Sequence, residues 1–420
     1  MTTTTDHAAR PPGQWRDTVL AGLANYIDSG SIVAGSVALA LWKDLYNLSD
    51  TFIGLIAAFS ANAISAGVGA FIGGWLCDKV GRKKIYQYDM LFYAFGMMFL
   101  IFASAAWMII AGFLLVGLAV GADIPASWSL IAEQAPDDKR GAHSGVAQAL
   151  WNLGPVVVLV AGYFLTPFGI DGVRWLFIHL AVIALGLTFL RSRMSESQRW
   201  VEVQVARGEK AGTVPWRELF SPRYIAAMFY LVAMYGLWNL WAGYNGFFTP
   251  YLIEQNNLPE WAATVLPASY FLLCILSVIF IFMPLADKVS QRLLFGISAV
   301  LQVAGMAMLA LFGFTLETVI AHIVIMGLAG GFGAQSFFQL WSAELFPTEI
   351  RSTAQGMTFA MVRIGLGIWS LAVPALASND FTTLAWILTG FLVASGVIGL
   401  IWAPSNQGKS LEAIAAERRG

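Results

Sequence analysis

Gly74-Trp75-Leu76-Cys77-Asp78-Lys79-Val80-Gly81-Arg82-Lys83-Lys84 is a short charged turn set between two apolar runs. A shorter echo, Asp287-Lys288-Val289-Ser290-Gln291-Arg292, stands 209 residues later, again between apolar runs. A second pair repeats at nearly the same offset: Ala132-Glu133-Gln134-Ala135-Pro136 and Ala343-Glu344-Leu345-Phe346-Pro347, 211 residues apart. Arg140 and Arg351, Gly145 and Gly356, and Gly154 and Gly365 share that second offset. One short match would be chance. Several at nearly one offset argue for duplication of a unit. Parallel repeats about an axis normal to a membrane enclose a cavity between two halves that can rock against each other.

The runs around these turns give the class. Hydrophobic residues make up 58% of the chain and Asp, Glu, Lys and Arg only 12%. A soluble protein carries about a quarter charged residues, so this surface suits lipid. A crossing helix needs roughly 20 predominantly apolar residues. Twelve runs qualify: 18–42, 51–76, 85–106, 108–132, 143–166, 173–191, 224–252, 262–286, 293–313, 317–341, 353–377 and 381–403. The predicted fold is an all-α membrane protein of twelve transmembrane helices in two pseudo-symmetric six-helix bundles. With both termini placed in the cytoplasm, 21 of the 24 Lys and Arg fall in cytoplasmic segments. Lys43 and Arg174 are outside and Arg363 is within a span. That bias is the positive-inside signal of a multi-pass protein of the cell membrane, here read as the inner membrane. The expected organisation is a disordered tail at 1–14, a first bundle at 15–191, a cytoplasmic linker with short surface helices at 192–222, a second bundle at 223–403 and a cytoplasmic tail at 404–420. No small-residue cleavage pattern marks the first run as a signal peptide.

Composition also excludes classes. A net charge of -1, with no basic stripe interleaved with aromatics, argues against nucleic acid. Cys77 and Cys274 lie far apart in or beside apolar runs, and four His show no ligand spacing, so neither a metal nor another cofactor is expected. No Gly-x-x-x-x-Gly-Lys-Ser/Thr is present, which disfavours an ATP-driven pump. No enzymatic chemistry is expected.

The motifs carry a family likeness. The 74–84 turn resembles the loop between helices 2 and 3 of the major facilitator superfamily. Ser195-Glu196-Ser197-Gln198-Arg199-Trp200 resembles the Pro-Glu-Ser-Pro-Arg-Trp of its sugar porters, and 404–412 resembles their terminal Pro-Glu-Thr-Lys-Gly-Lys-Ser-Leu-Glu. Gln148 with Gly154 matches a helix 5 pattern in which the Gln contacts sugar, and Asn245 after Gly243 and Tyr244 fits helix 7. The resemblance therefore implies the major facilitator fold and a transporter akin to sugar porters and related metabolite–proton symporters. Three departures alter the lining. Phe113 stands near the position of a usual helix 4 Arg, Asn239 and Leu240 stand where two helix 7 Gln are expected, and Gln339 stands near a helix 10 Trp.

The few polar groups inside spans are the site candidates. An ionised Asp28 in mid-span costs about 2.5–3.5 kcal/mol on insertion scales, and protonation removes most of that cost. Asp28 is thus a proton-coupling carboxylate, which the resemblance also implies, or a substrate contact, or an Asp bonded to Ser29, Ser31 or Asn25 with neither role. Asp123, beside Pro125, is a second proton-coupling candidate or a helix-packing group. Arg363 lies roughly 18 Å beyond Arg351 at 1.5 Å per residue, too deep to snorkel easily. It either pairs with Asp28 or Asp123, or binds a carboxylate or sulfonate on the substrate, or is bonded structurally to backbone carbonyls and Gln355 or nearby Trp residues. Amide, hydroxyl and aromatic groups match a polyol's hydroxyls and ring faces. They give the remaining substrate-binding set: Asn25, Tyr26, Gln148, Asn152, Trp238, Asn239, Trp241, Tyr244, Asn245, Tyr270, Gln335, Gln339 and Trp369. The alternative for any of them is helix-to-helix glue or an interfacial aromatic. Asp78, Arg82, Glu133, Arg140, Glu344 and Arg351 repeat across the halves at span ends and are expected to form a cytoplasmic gate.

The reading is proton-coupled symport that imports a sugar or sugar-like polyol by alternating access. The partners are a small polar substrate, protons and membrane lipid, and the chain is expected to act as a monomer. Import of an anionic sugar derivative or organic acid, uniport, and a non-transporting membrane sensor are the alternatives.

Overall fold

The computed structural model describes residues 14–59, 63–255, 258–371, 376 and 381–419. Most of the expected N-terminal tail, 1–13, lies outside the described residues, as do parts of the expected second and eleventh spans.

Apolar runs become long helices because a chain in lipid must satisfy its backbone hydrogen bonds internally. The first half holds α1 (Gln14–Tyr46), α2 (Asp50–Ala58), α3 (Ile64–Val80), α4 (Arg82–Ile101), α5 (Ala106–Gln134), α6 (Arg140–Leu165) and α7 (Gly169–Arg191). The connection carries α8 (Gln198–Arg207) and the single turn α9 (Trp216–Leu219). The second half holds α10 (Pro222–Gln255), α11 (Glu260–Ser277) continued by a π-helical turn at Val278–Phe282 and α12 (Met283–Leu285), then α13 (Gln291–Phe312), α14 (Leu316–Gly330), α15 (Ala334–Glu344), α16 (Arg351–Ser370) and α17 (Phe381–Ile401). A final helix, α18 (Leu411–Arg419), follows. Two expected spans are thus interrupted: α2 and α3 share the second, and α14 and α15 share the tenth. The break between α14 and α15 is Gly331-Phe332-Gly333. Hydroxyls satisfy the carbonyls it frees, with Ser336 donating to Gly331 O at 2.8 Å and Ser298 to Ala329 O at 2.8 Å.

The helix pairs repeat. In the first half α3 and α4 pack on α5, α4 on α7, and α1 on α6 and α7. In the second half α11 and α13 pack on α14, α13 on α17, and α10 on α16 and α17. The halves meet through α3 against α16 and, in the related position, α6 against α11. This twofold arrangement is the twelve-span, two-bundle fold that the repeated turns predict. Glycine permits the first of those contacts. A Cβ at Gly74 would overlap the Ser352 carbonyl of α16, and one at Gly356 would overlap the Ala70 carbonyl of α3.

By length and hydropathy, seven stretches among the described residues can cross a membrane, one of which, Arg140–Arg191, covers both α6 and α7. Among the helices of 17 residues or more, this criterion passes over α1, α3, α4 and α16. α3 and α16 face each other across the halves, and α1 lines the space between them. Several polar residues on these helices, among them Asp28, Ser65, Asp89 and Arg363, are buried in protein. Phe95, Phe189, Phe229, Phe280 and Val300 stand exposed on the periphery, as a lipid-facing surface requires.

Candidate functional site

Midway along the interface lies a narrow cavity of about 60 Å³. α1 contributes Ser29, Ile32 and Val33, and α6 contributes Trp151 and Pro155. Across from them, α10 contributes Trp238, Asn239, Ala242, Gly243 and Asn245, and α11 contributes Tyr270 and Phe271. Gln335 of α15 and Arg363 of α16 complete the wall. Amides and a guanidinium therefore sit among aromatic faces, the combination that binds a compact polar solute.

Several wall groups are held in place from behind. Trp238 donates its indole N–H to Gln302 Oε1 at 2.6 Å, and Gln302 in turn donates to Ser298 at 2.9 Å. Tyr235 donates to Gln335 Oε1 at 2.5 Å and stacks on Phe338 with centroids 3.9 Å apart. That bond occupies the Gln335 carbonyl oxygen and leaves its NH₂ as the group with free directions. Arg363 Nη1 lies 3.5 Å from Asn239 Oδ1, and its guanidinium carbon lies 4.5 Å from the centre of the Phe359 ring.

Asp28 does not line the wall. It is buried behind Trp151, whose indole N–H donates to Asp28 Oδ2 at 3.2 Å. Ser29 and Ser31 donate to backbone carbonyls, of Trp151 and Asp28 respectively, and not to the carboxylate. Arg363 is within electrostatic reach of Asp28 from the opposite half. Phe113, near the usual helix 4 Arg, packs edge-on against Trp42 at 6.0 Å in an apolar setting.

Of the residues expected to bind substrate, the cavity brings together Trp238, Asn239, Asn245, Tyr270, Gln335 and Arg363. The others stand elsewhere in this conformation. Asn25 donates to Ala147 O and joins α1 to α6, while the Tyr26 hydroxyl meets His179 Nε2. Gln148 donates its amide N–H to Gln339 Oε1 across the halves, and neither amide lines the cavity, while Gln339 Nε2 is buried with no acceptor among the described residues. Asn152 donates to Gln148 O at 2.8 Å. Trp241 and Tyr244 are buried within the second half, and Trp369 packs on Phe391. Asp123 does not reach Arg363. It pairs with Arg191 at 2.6 Å, away from the cavity. Sequence reasoning missed Trp151, Ser29, Phe271 and Gly243. Trp151 had a signal: it lies three residues after Gln148, and so on the same helix face.

One end of the bundle is sealed by charge. Asp78 accepts from the backbone N–H groups of Ser352 at 3.3 Å and Thr353 at 2.7 Å, the first turn of α16. Arg82 pairs with Asp78 at 3.1 Å and Glu133 at 3.0 Å and donates to Thr348 O. Arg351, from the other half, pairs with the same Glu133 oxygen at 2.7 Å. The related latch runs the other way. Asp287 accepts from Gly141 N at 2.8 Å and Ala142 N at 3.0 Å, in the first turn of α6. Arg140 pairs with Glu344 at 2.9 Å, and Asn406 donates to the second Glu344 oxygen. A carboxylate at a helix N-terminus meets unsatisfied N–H groups and the positive end of the dipole. Burial pushes the Asp287 carboxyl above its ordinary range, against the pull of those two N–H groups and of Arg140. The 195–200 motif braces this end: Glu196 accepts from Arg82 N and Lys83 N, and Trp200 donates to Asp78 O. Between latches and cavity, Trp128 packs edge-on against Phe338 and Phe359, both at 5.9 Å.

The comparisons with known proteins agree with this architecture. The minor myo-inositol transporter IolF of Bacillus subtilis is 45% identical over 411 residues, covering 96% of this chain and 94% of that protein. The inner membrane metabolite transport protein YgcS of Escherichia coli is 26% identical over 392 residues, covering 85% of this chain and 84% of that protein. Among solved structures, the proton:xylose symporter XylE bound to 6-bromo-6-deoxy-D-glucose superposes with a TM-score of 0.83 at 17% identity, covering 97% of this chain and 100% of that one. The inward-open conformation of XylE from E. coli gives 0.69 at 18% identity, covering 96% and 98%. The higher score goes to the sugar-bound form. The Major Facilitator Superfamily model matches residues 18–370, and this multi-pass membrane protein belongs to that superfamily.

Proposed function

We propose that the protein is a proton-coupled symporter that takes up a sugar-like polyol of the inositol class by alternating access. The observation that carries this reading is Trp151, which forms a cavity wall on one side and donates to Asp28 on the other. A solute seated on the indole and a proton on the carboxyl thus act on the same side chain. Asn239, Asn245 and Gln335 supply donors and acceptors for hydroxyls, and Trp238 and Trp151 supply apolar faces for a ring. The 45% identity with a myo-inositol transporter supports the substrate class. The latched end faces the cytoplasm in this reading, because Lys and Arg concentrate in its loops. One chain encloses the whole cavity between its halves, which supports action as a monomer.

The cycle follows from these parts. With the latches engaged, the cavity loads from outside, Asp28 takes a proton and the solute settles against Trp151. Breaking both latches then opens the inner side. The decisive experiment is uptake of labelled myo-inositol into proteoliposomes under an imposed pH gradient. The wild type is expected to accumulate it. Asp28→Asn should lose accumulation and keep gradient-free exchange. Undiminished accumulation by that variant removes Asp28 from coupling, and wild-type uptake indifferent to the gradient refutes symport.

Arg363 in the wall favours a second reading, import of an anionic sugar derivative. Arg363→Gln should then depress uptake of a sugar acid at least tenfold more than that of myo-inositol. Equal losses for both would discard this reading.

A further inference from the structure

Arg191, the last residue of α7, is enclosed at the latched end of the first half with its side chain fully buried. Its Nε donates to Leu20 O at 3.2 Å and its Nη2 to Ala21 O at 3.1 Å, both on α1. The guanidinium lies 3.8 Å from the centre of the Tyr86 ring on α4. Nη1 is 2.6 Å from Asp123 Oδ1 on α5 and 3.8 Å from Asp89 Oδ1 on α4. One cation therefore faces two carboxylates in a space without bulk water.

Asp89 is the group left over. Its side chain is 2% exposed, and its Oδ1 accepts from Met90 N at 2.5 Å. Its Oδ2 is buried with no donor among the described residues. The same Arg191 nitrogen faces both acids, so the nearest polar neighbour of Asp89 besides Met90 N and Arg191 is the Asp123 carboxyl, itself an acceptor when ionised. The other titratable groups around the cluster do not supply a second cation. Tyr86 and Cys77 are neutral neighbours, Asp78, Asp17 and Glu196 are acids, and Arg82 is taken by Asp78 and Glu133. Lys84 lies along the wall of the same groove but makes no ion pair with Asp89. That groove, of about 1110 Å³, borders Asp89 with Ile72, Leu76, Tyr88 and Phe92 on the lipid-facing side. A second, uncompensated carboxylate in so apolar a place costs several kcal/mol. A proton on one of the two acids removes that charge and supplies the missing donor in one step.

We infer that Asp89 and Asp123 share one proton beside Arg191, a proton-binding site in the first half that is separate from Asp28 and from the cavity. The shared proton completes a joint that ties α1, α4, α5 and α7 together where the chain leaves for the linker. It is a structural proton in this conformation, held as long as the joint stays closed.

Infrared spectroscopy of the full chain in detergent or lipid, in an Asp28→Asn background at neutral pH, tests this directly. A protonated-carboxyl C=O band should be present, and adding Asp89→Asn should remove one carboxyl equivalent of it. The Asn amide donates to Asp123 as the shared proton does, so Asp89→Asn should keep the neutral-pH Tm. Asp123→Asn should behave similarly, with Asp89 left to pair with Arg191. The proposal is overturned by a spectrum without any protonated-carboxyl band, by a band that Asp89→Asn leaves intact, or by an Asp89→Asn chain that fails to fold. None of these readouts depends on transport, so they stand apart from the test of symport.

Discussion

The two latches are copies of one device with different charge loads. Each sets an Asp from one half on the first turn of a helix in the other: Asp78 on α16, Asp287 on α6. Each crosses a Glu–Arg pair between halves, Glu133 with Arg351 and Glu344 with Arg140. They part at two places: Arg140 also pairs with Asp137 at 2.8 Å, where Arg351 donates to the Thr348 hydroxyl, and the buried Arg82 is matched by a neutral residue. Arg82 reaches back to Cys77 O and outward to Asp78 and Glu133. In the second copy Gln291 reaches back to Ala286 O and accepts from Trp341 Nε1 at 2.7 Å. The first latch is thus a buried cluster of two cations and two acids. The second is a helix cap and an ion pair joined by a neutral amide. A buried charge cluster holds only when complete, and it fails steeply when one member is lost. A capped helix with one ion pair across the halves, and Asp137 as a second partner for its Arg140, weakens more gradually.

The largest break in the comparison is expected from Glu133→Gln. It leaves Arg82 and Arg351 buried without their shared acid, a loss of about 3–5 kcal/mol for a broken buried pair. Spin-label distances across the latched end should shift toward the open population; an unchanged distribution would show that the cluster does not hold the halves. Glu344→Gln is the matched control and should open the end less.

The exchange of the differing residue sharpens the point. Arg82→Gln should convert the first latch into a likeness of the second, with a moderate rise in the open population, since Glu133 keeps Arg351. Gln291→Arg should not tighten the second latch, because a guanidinium cannot accept from the Trp341 N–H. A gain in closure from that substitution would mean that charge alone, and not acceptor geometry, sets latch strength.

The smallest effect concerns Asp287. Its carboxyl is held above the ordinary range in the closed form by burial. A group so shifted binds its proton more readily when closed than when solvated. Its contribution favours closure at acid pH and is lost as pH rises through the closed-state value. The open population of the wild type should therefore grow modestly with pH, and Asp287→Asn should flatten that dependence. An equal pH dependence in the variant would assign it to another group.

Much of the fold was legible in the chain. Twelve apolar runs, a 209–211 spacing and the placement of Lys and Arg are one-dimensional signals, each imposed by lipid on the sequence itself. Asp78, Arg82, Glu133, Arg140, Glu344 and Arg351 stood out for the same reason, since charge at a span end is conspicuous, whereas Asp287 was not singled out as one of them. The repeat still misled at one point, where charge aligned Arg82 with Arg292. In the fold Arg292 is exposed, and Gln291 takes the buried place. Ser290 caps α13 by accepting from Leu293 N, and this sets the register.

The cavity was only half legible. Gln148 and Gln339 looked like substrate amides, yet they bond to each other across the halves. Trp151 drew no reading at all, yet it separates Asp28 from the cavity. Asp123 looked like a partner for Arg363, whereas Arg191, hidden at the end of α7, claims it.

The chain by itself determined the class, the number of crossings and the duplicated plan, because hydrocarbon thickness and backbone hydrogen bonding constrain every span locally. Tertiary structure alone decided which polar groups meet the cavity, which satisfy one another and which are left holding a proton. Those outcomes depend on the rotation of each helix against its neighbours, and that rotation is set by packing between segments hundreds of residues apart.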